Sequence, residues 1–355
     1  VALERVAVVG GGLAGLSAAL RLKDAGAHVE LFERSRLLGG RATSFEIDGI
    51  EVDNGQHVFL ACCTEFIAFA RRVGMDSQLR LQERFDSRIL SRDGRSGRLR
   101  AGALPAPLHL AESFAAYPHL TLAEKLRIAR ALAAPRAQGD ETFEHWLRRN
   151  GQGPGERRAF WDPFFIPALN APFDRVAAVD AMFVLRTAFL GDAGAARFGF
   201  SKAPLAHLAT AAAAQLDAVH TSTAVTAVLI ATGAPNGRVL EGPVALTLAN
   251  GERADFDAVV LAVPPRQVAR MLGDGAQHGI VGLDSYEAFP IVDVHLWHDG
   301  GELGFDFAAA LESPLQWIFE KSPGYLACSI SAANEYQRMP TQELETLAWR
   351  EVQAF

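Results

Sequence analysis

Residues Arg5–Glu33 read RVAVVGGGLAGLSAALRLKDAGAHVELFE, and the order of residue types in this stretch decides the fold. Val6, Ala7, Val8 and Val9 make an apolar run of strand length. Gly10, Gly12 and Gly15 follow with G-x-G-x-x-G spacing, and Leu13, Leu16 and Leu20 then recur at helical intervals until Gly26. A second apolar strand (Val29, Leu31, Phe32) ends in an acid, Glu33. In such a βαβ unit the first glycine permits a tight turn, the second lets a pyrophosphate approach the backbone, and the third lets helix and strand pack closely. The helix opens with unpaired N–H groups and the positive end of its dipole aimed at the phosphates. Glu33 stands about 20 residues beyond the glycines, where an acid binds a ribose hydroxyl. Glycine-rich turns are common, so the spacing alone is weak; strand, turn, helix, strand and acid together predict a dinucleotide site.

Composition bounds the rest. The chain has 355 residues, enough for about two domains, with 49% hydrophobic residues and a slightly positive mean hydropathy. A formal net charge of −7 argues against nucleic acid as the main partner. Three cysteines, two of them adjacent (Cys62, Cys63), give neither a disulfide framework nor metal-ligand spacing, so no metal is expected and a reducing, cytoplasmic compartment is the simplest inference. No run of about 18 apolar residues predicts a membrane span. The chain enters its first strand at once, which leaves no room for a signal peptide.

Beyond Glu33 the pattern departs from nicotinamide folds, which proceed directly to another βαβ unit. Arg34–Ser44 carries Gly39 and Gly40, fit for a second close backbone approach, and Arg41, which can neutralise a phosphate or a flavin edge. A hairpin follows, with Phe45 and Ile47 alternating before an Asp48-Gly49 turn and Ile50 and Val52 after it. It delivers Asp53-Asn54-Gly55-Gln56-His57, small and polar residues where backbone could lie against an isoalloxazine ring, or a plain strand-to-helix loop.

These residues resemble the FAD-dependent amine oxidase and phytoene desaturase superfamily. GQHVFLACC (Gly55–Cys63), LPAPLHL (Leu104–Leu110), YPHLTLAEKLR (Tyr117–Arg127), FWDPFFIPALN (Phe160–Asn170) and PLQWIFEKS (Pro314–Ser322) narrow the resemblance. They are similar to the squalene-associated FAD-dependent desaturases, hydroxysqualene dehydroxylases of hopanoid biosynthesis. The resemblance runs along nearly the whole chain, and its middle segments are the more specific part. It implies an α/β fold with a Rossmann-type FAD-binding domain (parallel sheet plus β-meander) over 1–85 and 203–285, and an α+β substrate domain over 86–202 and 286–355. Carried onto this sequence, the FAD-binding positions are Gly10, Gly12, Leu13, Ala14, Gly15, Glu33, Arg34, Gly40, Arg41, Gly55, Gln56, His57 and Val58, with Val225 meeting the adenine through its backbone. The superfamily closes with a glycine-rich segment whose acid binds the ribityl-pyrophosphate. Ser331–Phe355 holds no such segment, so the C-terminal part of the FAD domain is expected to be missing.

Other stretches leave choices open. The arginines of Arg71–Arg100 read as solvated surface or as a binding patch. Leu104–Leu120 is apolar and proline-broken, unsuited to a regular core helix; it is the mouth of an apolar tunnel, a bilayer contact or a packed loop. Thr121 and Glu124 form a capping box for a helix through Ala134, and Thr142–Arg149 puts Phe143, Trp146 and Leu147 on one side. Phe160, Trp161, Phe164 and Phe165 form core, or a box that cradles a polyene and steadies a cation. A helix over Leu205–Leu216, a short strand, a meander (Val225–Ile230, a Gly233–Gly237 turn, Val244–Leu248, Asn250-Gly251) and a buried strand over Asp257–Val263 return the chain to the nucleotide sheet. Strands at Ile291–Trp297, Leu315–Phe319 and Tyr325–Ile330 and a helix from Gln342 finish it.

The resemblance implies reductive dehydroxylation of hydroxysqualene to squalene: protonation of the hydroxyl, loss of water to an allylic cation, and hydride from reduced FAD. The proton requires a general acid, for which His57, Asp162 and Glu320 are the candidates. A buried His57 bonded to the backbone, or Asp162 organising a turn before Pro163, are the structural alternatives. NADPH or a reductase is the expected external electron donor, a long isoprenoid the substrate, and peripheral contact with the inner membrane the accompanying expectation. The rivals are a carotenoid-type desaturase, an amine oxidase, and a flavin-free lipid escort; Arg41 and Asn54-Gly55 argue against the last.

Overall fold

Alternation along the strand Arg5–Val9 explains how one part of the molecule is layered. Val6 and Val8 pack with Leu16 and Leu20 of the helix Leu13–Asp24 and with Leu208 and Ala212 of the helix Ala206–Ala213. Ala7 and Val9 pack with Val228, Leu246 and Phe256. Both faces are covered, which is why the strand reads as an unbroken apolar run. It sits inside a parallel sheet of order Ala218–His220, His28–Phe32, Arg5–Val9, Ala258–Leu261. The antiparallel meander Val225–Ile230, Val244–Leu248, Arg253–Phe256 supplies the residues on the other face. The strand expected over Asp257–Val263 is shorter than predicted.

The computed structural model describes residues 4–133, 135–230, 244–273 and 279–355. The predicted Gly233–Gly237 turn, and Ala134 at the end of its helix, lie outside the described residues. Contacts divide the chain into two compact units: Val1–Asn54, Glu65–Leu79 and Ser201–Ala288, and then Gly55–Thr64, Arg80–Phe200 and Phe289–Phe355. Gly55–Thr64 therefore groups with the second unit. In the first unit, the hairpin Ser44–Ile47/Ile50–Asp53 turns through Asp48 (φ 49°) and Gly49 (φ 81°), both left-handed, as a twisted two-residue turn requires.

The second unit is built on a six-stranded sheet of order Val292–Trp297, Tyr325–Ile330, Trp317–Ser322, Phe307–Ala310, Asp86–Leu90, Ser96–Arg100. One of its faces meets the helix Thr341–Gln353 through Leu296, Ile318, Leu326 and Ala348. The other meets a helical layer whose centre is aromatic: Phe143 touches Trp146, Trp161, Phe165 and Phe173. The indole and phenol groups carried into this core are paired. Trp161 Nε1 donates to Gln152 Oε1 (2.9 Å), the Tyr117 hydroxyl to the Ala159 carbonyl (2.8 Å), and Trp317 Nε1 to the Pro163 carbonyl (3.1 Å).

The capping box forms as its spacing predicts. Thr121 N–H donates to Glu124 (2.7 Å) and Glu124 N–H to Thr121 Oγ1 (3.3 Å). Leu104–Leu120 forms no core helix: its short helix Ala111–Ala116, entered from the 3-10 turn Leu108–Leu110, has no buried residue. One local expectation is corrected: Asp162 does not organise a turn. The π-helical Arg157–Trp161 runs straight into the helix Asp162–Leu169; Pro163 has no N–H to offer the preceding turn, and the Ala159 carbonyl four residues before it accepts the Tyr117 hydroxyl instead. The arginines between 71 and 100 include surface ion pairs, among them Arg95–Asp93 (2.7 Å) and Arg98–Asp86 (2.5 Å).

Candidate functional site

The three glycines of the opening turn answer to different constraints. Gly10 has φ +112°, and a Cβ there would stand 2.5 Å from the Ala262 carbonyl oxygen. At Gly15 a Cβ would stand 1.9 Å from the Gly10 carbonyl oxygen. At Gly12 it would meet nothing nearer than the Gly40 Cα, at 4.0 Å. Packing thus demands glycine at 10 and 15 but leaves open space over 12, the place where a pyrophosphate would rest. Gly12 is also the N-cap of the helix, with no side-chain cap and no acid in the first turn, so this positive end is left to an anion. Leu13 is half-buried and Ala14 exposed.

A second turn lies against the first. Gly39 and Gly40 have φ of +97° and +61°, Gly39 N–H donates to the Gly11 carbonyl (2.8 Å), and a Cβ on Gly40 would come within 3.1 Å of Gly12 Cα. Arg34 and Arg41 are exposed. The Thr43 hydroxyl is buried without a hydrogen-bond partner, a polar atom that a ligand would satisfy. Glu33 accepts Gly11 N–H on Oε2 and Ser35 N–H on Oε1, both at 2.7 Å, and each oxygen keeps a lone pair for a ribose hydroxyl. Val225 is 6% exposed, and its pairing with Leu248 is followed by a bulge before Ala227. These residues of the first unit fit the adenosine-diphosphate half of FAD.

In the second unit Gly55 is buried, Gln56 and Val58 are half-buried, and His57 is exposed, not buried as one alternative above allowed. Beneath them stands a residue that sequence reasoning missed. Asp293 Oδ1 accepts Gln56 N–H (3.3 Å), and a Cβ at Gly55 would collide with Oδ2 at 2.3 Å. Burial pushes the Asp293 carboxyl up, against hydrogen bonds and two nearby histidines that favour its charge. A signal existed: in Val292–Trp297 (VDVHLW) it is the lone acid of an otherwise alternating apolar strand.

The second unit also holds a cavity of about 350 Å³ whose lining side chains are all apolar. Phe85, Leu99, Phe165 and Leu185 form its buried floor, and Pro107, Leu108, Ala111 and Ala129 its exposed rim. The aromatic segment divides: Phe160, Phe164 and Phe165 line the cavity, whereas Trp161 is core. None of the three candidate acids is among the lining residues. Asp162 Oδ1 lies 3.4 Å from Arg157 Nε, with burial pushing its carboxyl up. Glu320 accepts the Leu303 N–H on both oxygens (3.0 and 3.1 Å) and so anchors a loop.

A parallel sheet bearing a glycine turn open to a pyrophosphate, in one chain with a unit hollowed by an apolar cavity, defines a dinucleotide-binding protein of flavoprotein type. The model of the flavin containing amine oxidoreductases matches residues 13–355, and the chain belongs to that family. It is 29% identical over 360 residues to the hydroxysqualene dehydroxylase of Rhodopseudomonas palustris, covering 98% of this chain and 81% of that protein. It is 30% identical over 206 residues to the zeta-carotene desaturase of Synechocystis, covering 52% of this chain and 42% of that protein. The match thus spans less than half the length of that desaturase. Among solved structures, a putrescine oxidase variant superposes with a TM-score of 0.74 at 18% identity, covering 99% of this chain and 81% of that one. An oxidoreductase from Methanosarcina mazei gives 0.72 at 17%, covering 99% and 84%. Likeness at such identity is one of fold.

Proposed function

We propose that the protein is an FAD-dependent oxidoreductase of a long isoprenoid, and that it removes the hydroxyl of hydroxysqualene reductively to give squalene. The wholly apolar cavity carries this reading, since an amine or other charged substrate would be stranded there without a partner. The Gly10–Gly15 turn would hold the pyrophosphate, Glu33 the ribose, and Gly40, Arg41 and Gly55–Val58 the flavin half, with Val225 beside the adenine. When bound, flavin supplies hydride transfer. The chain's own residues then have two tasks. The cavity walls exclude water from a developing allylic cation, and the faces of Phe160 and Phe164 stabilise it. A donor such as NADPH returns the electrons.

A carotenoid-type desaturation is the second reading, favoured by the zeta-carotene desaturase relatives; it uses the same cavity and runs the hydride the other way. Photoreduced protein incubated with hydroxysqualene is expected to give squalene, one per flavin, by mass spectrometry. Desaturation of a carotenoid by the oxidised protein, with no squalene formed in the first assay, would favour the second reading. Purified protein that takes up no flavin would point to the escort instead.

The rim of the cavity is proposed to meet a lipid surface. Leu122, Leu126, Ala129 and Ala133 share one face of the helix Leu122–Ala133; the last two line the cavity and the first two are 74% and 62% exposed. Leu108, at the rim, is 57% exposed. Exposed apolar residues so grouped mark an interaction surface. Changing Leu122 and Leu126 together to Asp is expected to cut co-sedimentation with vesicles about 10-fold; unchanged sedimentation would refute the contact.

A further inference from the structure

Asp293 has no part in the function proposed above, yet it lies against Gly55 and Gln56 of one short turn and interacts electrostatically with His57, the next residue. On the strand Val292–Trp297, Val292, Val294 and Leu296 enter an apolar cluster with Ile318 and Ile330, which leaves Asp293 and His295 on the opposite face. Asp293 Oδ2 fills the volume a side chain at position 55 would need, and Oδ1 accepts both the Ser329 hydroxyl (2.5 Å) and the Gln56 N–H (3.3 Å). The Gln56 side-chain amide nitrogen donates to the His57 carbonyl (3.1 Å), which leaves Gln56 Oε1 buried with no partner. The titratable groups that interact with Asp293 are His57 from the turn, His295 from its own strand and, across the sheet, Cys328 from the next, whose thiol burial and Asp293 together push up to about 12.

A buried amide oxygen without a donor is costly to leave unmatched, so its presence calls for a ligand that satisfies it. We propose that Asp293 is a positioning residue: by seating Gly55, Gln56 and His57 it aims Gln56 Oε1 as an acceptor at an N–H or O–H on the ring system of a bound cofactor. That the cofactor is FAD, whose isoalloxazine edge carries such an N–H, rests on the function proposed above. The role of Asp293 in the turn does not.

The test separates the two. In protein without flavin, Asp293→Ala is expected to speed exchange of the Gln56 amide hydrogen about 10-fold or more, and Asp293→Asn, which keeps an acceptor, to restore protection. In FAD titrations followed by flavin fluorescence, Gln56→Leu and Gly55→Ala should each weaken binding about 10-fold at unchanged thermal stability for Gln56→Leu. Gly55→Ala combined with Asp293→Ala should bind no worse than Asp293→Ala alone, because the collision has been removed. Unchanged Gln56 exchange in Asp293→Ala, or fully additive effects in the double variant, would overturn the proposal. Wild-type protein that binds no FAD while the exchange result holds would overturn the flavin reading alone.

Discussion

Gly12→Ala protein is expected to fold as the parent does and to lose its flavin. The backbone there (φ −74°, ψ 171°) is one that alanine adopts freely, and the added methyl meets nothing within 4.0 Å but Gly40 Cα. Alanine is a poorer N-cap than glycine, so a loss of stability of up to about 1 kcal/mol is expected. The methyl would nevertheless stand where a pyrophosphate must touch backbone, and FAD affinity should fall at least about 100-fold, or about 2.7 kcal/mol. Gly15→Ala reverses the pattern. Its Cβ would sit 1.9 Å from the Gly10 carbonyl, a backbone atom that cannot rotate aside, so helix and strand must separate. A cost of about 3 kcal/mol is expected, read as a shift in the urea midpoint. Gly12→Ala protein that binds FAD with parental affinity would show that no diphosphate lies on this turn.

What the sequence made legible was local. The glycine turn, the left-handed Asp48-Gly49 pair and the Thr121–Glu124 box depend on residues within a few positions of one another, so spacing sufficed to read them. The strand Phe307–Ala310 did not declare itself: three alanines favour helix and carry no two-residue period. It is a strand because it is buried between Trp317–Ser322 and Asp86–Leu90, with Ala308 opposite Arg88, more than two hundred residues away in sequence. That pairing, which brings Asp86–Leu90 and Ser96–Arg100 into a sheet completed near the C-terminus, is a tertiary fact. The same distinction runs through the site. Gly10, Gly12 and Gly15 were readable because their chemistry is backbone geometry. Asp293 was not, because its role depends on Gly55 and Gln56, which only the fold sets beside it. The cavity gave a partial signal in Leu104–Leu120, apolar yet broken by proline, but its floor comes from segments spread between Phe85 and Leu190.

The cavity is where the substrate reading can be tested without disturbing the nucleotide site. Ala111 lies on its exposed rim at the start of the helix Ala111–Ala116. Tryptophan in place of this alanine costs at most about 0.7 kcal/mol in helix propensity, while its indole seeks to bury roughly 150–250 Å² of surface. The nearest apolar volume is the cavity of about 350 Å³, which the indole would enter and plug. For Ala111→Trp, kcat/KM on hydroxysqualene is expected to fall at least about 100-fold, some 2.7 kcal/mol of barrier, with FAD affinity and the flavin spectrum unchanged. Ala115→Trp, on the same short helix but not lining the cavity, serves as the control and should stay near parental. A short-chain allylic alcohol needs less of the cavity and should lose less activity than the long isoprenoid. If Ala111→Trp turns over the long substrate as the parent does, the chain does not use this cavity to hold it, and the substrate class proposed here falls with it.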